Sequence, residues 1–378
     1  MNPSLDTLAG RGHDQRINLL LGVANLFIFL DHIPNNAVNL LTLRNYGFSG
    51  ATDVFVFIAG YAVALIYGAM MLERGFIVTT TRVFKRVGQL YAAYIVLFVV
   101  YIDAIGNFAA RYATTSLFDE YNVTAIIDHP TRTLYRGLLL QAQPLHLDGL
   151  QLFIVLMALF PFALWAMLRR PQLTLAGSIA LYLAARYFDW GVPSFPEGRW
   201  DLNPFCWQLL FLLGAWFAVK GRDLVTPLYR WPALRVAAVV YLILAFLIAL
   251  PRHFPELNSV VPGVWPLSLD TKENLAPHRL LHFLALAYLF SWLVPRDWPG
   301  LSAIALRPVI KCGEEWLAAF CAGVFLSFAG HLILITGPDS LAMQIAVSAA
   351  GLATMAAVAY YVSWSKQQDR VRAMGAEA

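Results

Sequence analysis

Ten stretches of this 378-residue chain are long and apolar enough to cross a bilayer, and this limits its folds more than any other feature. A spanning helix needs about 20 apolar residues to cover the ~30 Å hydrocarbon core. In lipid, every backbone N–H and C=O must find its partner within the protein, which leaves only helices or a closed barrel. The stretches run over 16–32, 51–72, 87–107, 147–168, 172–188, 203–220, 231–250, 276–294, 313–336 and 341–364. Charged residues make up only 13% of the chain and apolar residues 59%. Soluble proteins are about 25% charged. This composition excludes a disordered chain, a disulfide-stapled mini-protein and a basic nucleic-acid arm. The expectation is an all-α polytopic membrane protein of about ten transmembrane helices. It forms one integral-membrane domain over 1–378, with short tails at 1–15 and 365–378. The first stretch ends in Asp31-His32-Ile33-Pro34 without a small-residue cleavage site, so it reads as a retained helix and not a signal peptide.

Lysine and arginine set the expected orientation. With the N-terminus cytoplasmic, 18 of them fall on the inner side and 9 on the outer, so both termini are expected inside. The net charge of +4 is then a topology signal, and no nucleic acid is expected as a partner. The longest connections are 108–146, which reads as carrying a short surface helix, and the proline-rich 251–275. Cys206, Cys312 and Cys321 are widely spaced and show no metal-binding pattern.

With that orientation, the costly polar residues gather in the outer third. They include Asp31, His32, Asp53, Asp103, His146, Asp148, Arg186, Asn203, Gln208, His278, Arg279, His282 and His331. Helix ends are where polar side chains cost least, which accounts for many of them. His32, Asp53, Asp148, His282 and His331 read as deeper, and point to an outward-facing polar chamber. Asp53 begins the second stretch at the depth where His32 ends the first, and is the better candidate to orient it than Asp31, whose side chain points ~100° away on the helix. On the inner side, Arg82, Lys85 and Arg86 precede the third stretch. They serve as positive-inside residues or as a phosphate cradle, since Arg82 and Arg86 share a helix face. No GxGxxG, P-loop, GxSxG or HExxH motif is present. His278 and His282 are four apart, but no third ligand stands at metal-site spacing, so no metal is expected.

The chain resembles the OpgC family, multi-pass acyltransferases named for succinylating osmoregulated periplasmic glucans. The resemblance opens with Arg16 and Gly22 and continues through Phe27-Ile28-Phe29-Leu30-Asp31-His32-Ile33-Pro34. Next come Thr42-Leu43-Arg44-Asn45-Tyr46-Gly47-Phe48-Ser49, Asp53 and Phe55-Val56-Phe57-Ile58-Ala59-Gly60-Tyr61. Thinner matches follow at Arg86, Tyr91, Asp148, Asn203-Pro204, Trp207-Gln208-Leu209-Leu210, Leu275, Pro277, Arg279, Leu280, His282, Phe283, Phe320-Cys321 and Gly330-His331, so nearly the whole chain is covered. The chain departs from the family pattern at Tyr94, where a histidine stands, and at Gln151 and Phe153, where a proline and a tyrosine stand. It departs again at Trp316-Leu317, where a serine-leucine pair stands.

The resemblance implies acyl transfer from cytosolic acyl-CoA, either succinyl-CoA or acetyl-CoA, to a hydroxyl of an extracytoplasmic glycan at a bacterial inner membrane. His32 is then expected to take the hydroxyl proton, because imidazole titrates near neutrality. Asp53 would orient His32, and Arg44 would hold the oxyanion or a succinyl carboxylate. Asp31, Asp148, Gln208, Arg279, His282 and His331 are expected to line the substrate chamber, and Arg82, Lys85 and Arg86 to hold the donor's phosphates. Membrane lipid is an expected partner, and an oligomer is compatible with the chain. Two alternatives stay open: a proton-coupled transporter of a polar solute, and an acetyltransferase acting on a different glycan. Against transport, no internal repeat is evident and the polar residues avoid the midplane.

Overall fold

The computed structural model describes residues 14–112, 116–252, 254, 272–338 and 340–376. Its helices, in chain order, are α1 (Gln15–Asp31), α2 (Ala51–Tyr112), α3 (Ser116–Glu120), α4 (Ala125–Asp128), α5 (Pro130–Leu138), α6 (Asp148–Arg169) and α7 (Pro171–Tyr187). There follow α8 (Pro204–Leu228), α9 (Pro232–Ala249), α10 (Pro277–Leu293), α11 (Arg307–Glu314), α12 (Trp316–Thr336) and α13 (Leu341–Ala376). Proline is the first residue of α5, α7, α8, α9 and α10. There its missing N–H costs nothing and its fixed φ suits the first turn. Among the described residues there is no strand, only two isolated bridges.

The all-helical expectation is met. Six helical segments are long and apolar enough to cross a membrane: Ala51–Tyr112, Asp148–Arg169, Pro204–Gly221, Pro232–Ala249, Trp316–Thr336 and Leu341–Asp369. The other expected spans also lie on helices, with α1, α7 and α10 each 17 residues long. The largest departure is at 73–86, which reads as a basic loop but continues the helix. The stretches 51–72 and 87–107 are both on α2, broken only at Gly75 (φ 80°, ψ 176°). That conformation is essentially confined to glycine. The helical part after Gly75 rises about 55 Å at 1.5 Å per residue, well beyond the hydrocarbon core. Arg82, Lys85 and Arg86 therefore sit on a helix and not in a loop. The expected tail from 365 extends α13, while most of the proline-rich 251–275 connection lies outside the described residues.

The chain forms two compact units. The first comprises 59–225 and 272–277. Here α2 and α8 approach closely, since a Cβ on Gly60 would lie 2.0 Å from the Phe211 carbonyl oxygen. Gln151 of α6 builds a buried network. Its amide donates to Tyr94 Oη (2.9 Å) and the Ala142 carbonyl (2.7 Å), and accepts from Gln143 (2.8 Å). Segment 272–275 is tied down by Asp148–Lys272 (3.0 Å) and by Asn203 donating to Asn274 (2.7 Å). Trp207 donates to the Lys272 carbonyl (3.0 Å) and Tyr182 to the Leu275 carbonyl (2.7 Å).

The second unit comprises 14–58, 226–252 and 278–376. Its core is α1 packed on α11, α12 and α13. The α1–α11 crossing uses glycine from both sides. A Cβ on Gly22 would lie 1.9 Å from Val309 O, and one on Gly313 1.8 Å from Asn18 O. Small residues of this kind let helix backbones meet where lipid removes the hydrophobic drive to associate. At the start of α1, Asp14 caps the Arg16 N–H (3.1 Å) and pairs with Arg16 (2.7 Å) and Arg296 (3.0 Å). Arg16 also donates to the Val294 carbonyl (2.9 Å), which ties α1 to the end of α10.

Burial opposes ionisation of Asp14, but the hydrogen bond from Arg16 and the charges of Arg16 and Arg296 outweigh it and hold the carboxyl below its ordinary 3.8. A depressed carboxyl stabilises the fold above its unfolded pKa and stops doing so as pH falls through the folded value. Asp14→Asn should keep the cap but lose the ion pairs. Wild-type protein should therefore unfold at a higher temperature than the variant near neutral pH, and the gap should narrow below about pH 4. Thermal unfolding across pH checks this, and a gap that persists into acid would remove Asp14 from the account.

Candidate active site

The site is built in the second unit, where the 42–50 segment meets the starts of α2 and α10. After α1, the chain makes single 3-10 turns at Ala37–Leu41 and Leu43–Asn45. Thr42 donates to Asp31 Oδ1 (2.6 Å), and the Asn45 amide donates to the Asn39 carbonyl (2.6 Å). These bonds hold the segment in place and deliver Gly47, Phe48 and Ser49 to the first turn of α2.

Asp53 stands in that turn with no solvent exposure. Its Oδ2 accepts the Gly50 N–H (2.8 Å), the reach-back of a helix capping box. Arg279 forks onto both carboxylate oxygens, with Nε to Oδ1 at 2.8 Å and Nη2 to Oδ2 at 2.5 Å. The negative charge also favours the helix N-terminus it occupies. His282 lies three residues after Arg279, on the same face of α10. Its Nδ1 meets Ser49 Oγ at 2.7 Å and the Ser49 N–H at 3.3 Å. The ring lies over Gly47, where a Cβ would come within 2.1 Å of Nε2. The Phe48 ring meets His282 at 5.7 Å and His278 at 5.0 Å, and Tyr241 of α9 donates to the His278 carbonyl (2.9 Å). Farther along α2, Phe55 packs edge-on against Trp316 (5.4 Å).

Asp53, Arg279 and His282, all singled out in the sequence, are thus brought into one cluster. Asp53 is forked by Arg279 and does not hydrogen-bond His32, contrary to the expected orientation of His32 by this carboxylate. His32 closes α1 as its C-cap residue. Asp31 precedes it, and the Arg44 guanidinium stands 4.0 Å from the Asp31 carboxylate with its side chain 56% exposed. An exposed, loosely held guanidinium is suited to grip an anion that enters later. His331 is buried on α12 in the same unit, and its neighbour Gly330 lies against Ile33 just after α1. Asp148 and Gln208 belong to the first unit. Asp148 is held by Lys272, while Gln208 donates to the Ser178 carbonyl (2.9 Å) and accepts from the Ser178 hydroxyl (2.7 Å). Also in the first unit, Arg82 and Lys85 are exposed on α2, and Arg86 donates to Gln89 (3.0 Å). Ser49 and Gly47 carry no role in the sequence reading. The one signal for them is their place in the Gly47-Phe48-Ser49 run.

Removing one partner of a buried ion pair leaves a bare charge, which typically costs about 3–5 kcal/mol, whereas removing both charges costs far less. Arg279→Leu should sharply lower the unfolding temperature of the purified protein. Asp53→Asn combined with Arg279→Leu should recover most of the loss, because asparagine still accepts the Gly50 N–H. A double variant no more stable than the single one would mean that the pair is not what holds α10 to α2.

Neither a curated protein nor a solved structure matches the chain. The model of the OpgC protein family matches residues 13–367. That match takes in every helix from α1 to α12 and most of α13, and the chain belongs to the OpgC protein family.

Proposed function

We propose that this protein moves an acyl group from cytosolic acyl-CoA to a hydroxyl of an extracytoplasmic glycan, across a bacterial inner membrane. Family membership supports a membrane acyltransferase acting on glucans. The observation that carries the finer reading is the buried Asp53–Arg279–His282–Ser49 cluster beside the half-exposed Arg44. In this reading all ten apolar stretches span, both termini are cytoplasmic, and the cluster faces the periplasm. Acyl transfer from a thioester needs a base for the hydroxyl proton and a donor for the oxyanion. His32 is the base. Arg44 receives the oxyanion or a succinyl carboxylate, which a guanidinium grips through two parallel bonds. Asp53 acts through Arg279, holding it and the His282 one turn beyond in place. Asp31 and His331 line the acceptor side, as do Asp148 and Gln208. The donor's phosphates sit on Arg82, Lys85 and Arg86. Its extended arm covers about two-thirds of a ~30 Å core, enough to bring the thioester into the outer third.

Purified protein, acyl-CoA and glucan in detergent provide the test, since a transporter has no gradient to show there. His32→Ala should abolish product seen by mass spectrometry without changing the elution profile. Arg44→Lys should lose most of the activity, because an ammonium cannot fork onto two oxygens. Reversing the charge of Arg82, Lys85 and Arg86 should raise the KM for acyl-CoA and leave that for the acceptor unchanged. Near-normal turnover of His32→Ala would remove His32 from the chemistry.

Orientation is tested by cysteine labelling in cells. Glu197→Cys should react with an impermeant thiol reagent from outside, and Thr81→Cys only after permeabilisation. Both positions are exposed, whereas Thr79, in the same basic stretch, is fully buried. Outside labelling at Thr81 would invert the topology.

A further inference from the structure

Ser49 holds His282 through two atoms that act on the same ring nitrogen. Its Oγ lies 2.7 Å from Nδ1 and its backbone nitrogen 3.3 Å from it. A backbone N–H can only donate, so Nδ1 must accept, and the ring proton of the neutral imidazole is on Nε2. The other tautomer, or the imidazolium, would aim an N–H at the Ser49 N–H. Nε2 lies over Gly47, where any Cβ would displace it. The groups facing the ring are Asp53 at the start of α2, Arg279 and His278 on α10, and Tyr241 on α9. Asp53 and Arg279 are committed to each other.

We propose that Ser49 is a positioning residue that locks His282 as the neutral Nε2–H tautomer, so that His282 donates a hydrogen bond to the reacting oxygen and is not the base. This rests on the acyl-transfer reading of the same site. As the sugar oxygen forms its bond to the acyl carbon, the Nε2–H steadies the carbonyl oxygen that gains charge. The hydroxyl proton passes to the base, the C–S bond breaks, and the leaving thiolate takes that proton. His282 begins and ends neutral.

Two measurements on the full-length protein in nanodiscs test this. The first is ¹⁵N spectroscopy of the histidine rings, with His282→Gln identifying the resonance. It should show an unprotonated Nδ1 and a protonated Nε2 in wild type, and a tautomer mixture in Ser49→Ala. The second is kinetics. Glutamine keeps an N–H near the position of Nε2 but cannot take a proton, so His282→Gln should stay within about tenfold of wild type. His282→Ala should fall by about 10²–10³ in kcat, the usual loss for one oxyanion donor. Ser49→Ala should lower kcat with little change in the KM for acyl-CoA, and Ser49→Thr should restore it. A protonated Nδ1 in wild type would overturn the proposal, as would a folded His282→Gln as inactive as the alanine variant. If the wild-type protein transfers no acyl group, the functional reading fails, while the ring spectrum still decides what Ser49 does. If the glutamine variant fails to fold, the wild-type spectrum, assigned through Ser49→Ala, decides alone.

Discussion

A carboxylate with no exposure to solvent cannot stay charged without partners, and Asp53 has two of different origin. One is local, the Gly50 N–H three residues back, and any helix start can supply it. The other, Arg279, is 226 residues away in sequence and has to be carried there by a helix. The fork on Arg279 accepts one geometry, so it fixes the position of α10 against α2 and also the rotation of α10 about its own axis. Once that rotation is set, the helical repeat brings His282 to Ser49. The cluster is therefore largely the consequence of one ion pair, and its members cannot be moved independently.

The second unit relies on glycine for the same kind of precision. Gly22 and Gly313 bring the α1 and α11 backbones into contact, Gly351 accepts the Phe29 ring, and Gly47 accepts the His282 ring. In lipid, apolar burial gives helices little reason to associate, so close approach and polar contacts decide the arrangement. The first three glycines set helix positions. Gly47 sets the height of a functional side chain above the chain that carries it.

The all-helical class was legible because twenty-residue apolar runs have few alternatives in a membrane. The helical continuity of 73–86 was not. A basic, polar stretch between two apolar ones reads as a loop, yet α2 needs only one glycine to change direction and resume. Within the site, Asp53, Arg279 and His282 stood out because charge and imidazole are costly at their depth. Their pairing was not legible, since sequence distance says nothing about which carboxylate meets which cation. Ser49 was silent because a serine near a helix start is ordinary. Depth also failed to separate groups that hold the fold from groups that could meet a ligand. Asp148, Asn203 and Arg186 look like chamber residues, but they bind Lys272 and Asn274 and secure the segment just before α10. Gln208 satisfies both ends of its amide on Ser178 of α7.

Tyr94 and Gln151 are two of the positions at which the chain leaves the pattern it resembles, and in sequence they look like separate accidents. In the structure they are one unit, because the Gln151 amide donates to the Tyr94 hydroxyl, which donates in turn to the Gly137 carbonyl. Neither residue is suited to its place alone. A proline at 151 would strip the hydroxyl of its donor and leave Gln143 and the Ala142 carbonyl without their partner. A histidine at 94 would face that amide with a shorter side chain. Any lineage that acquired one substitution was under immediate pressure to acquire the other, so the two positions are expected to have changed as a pair during divergence from the family pattern.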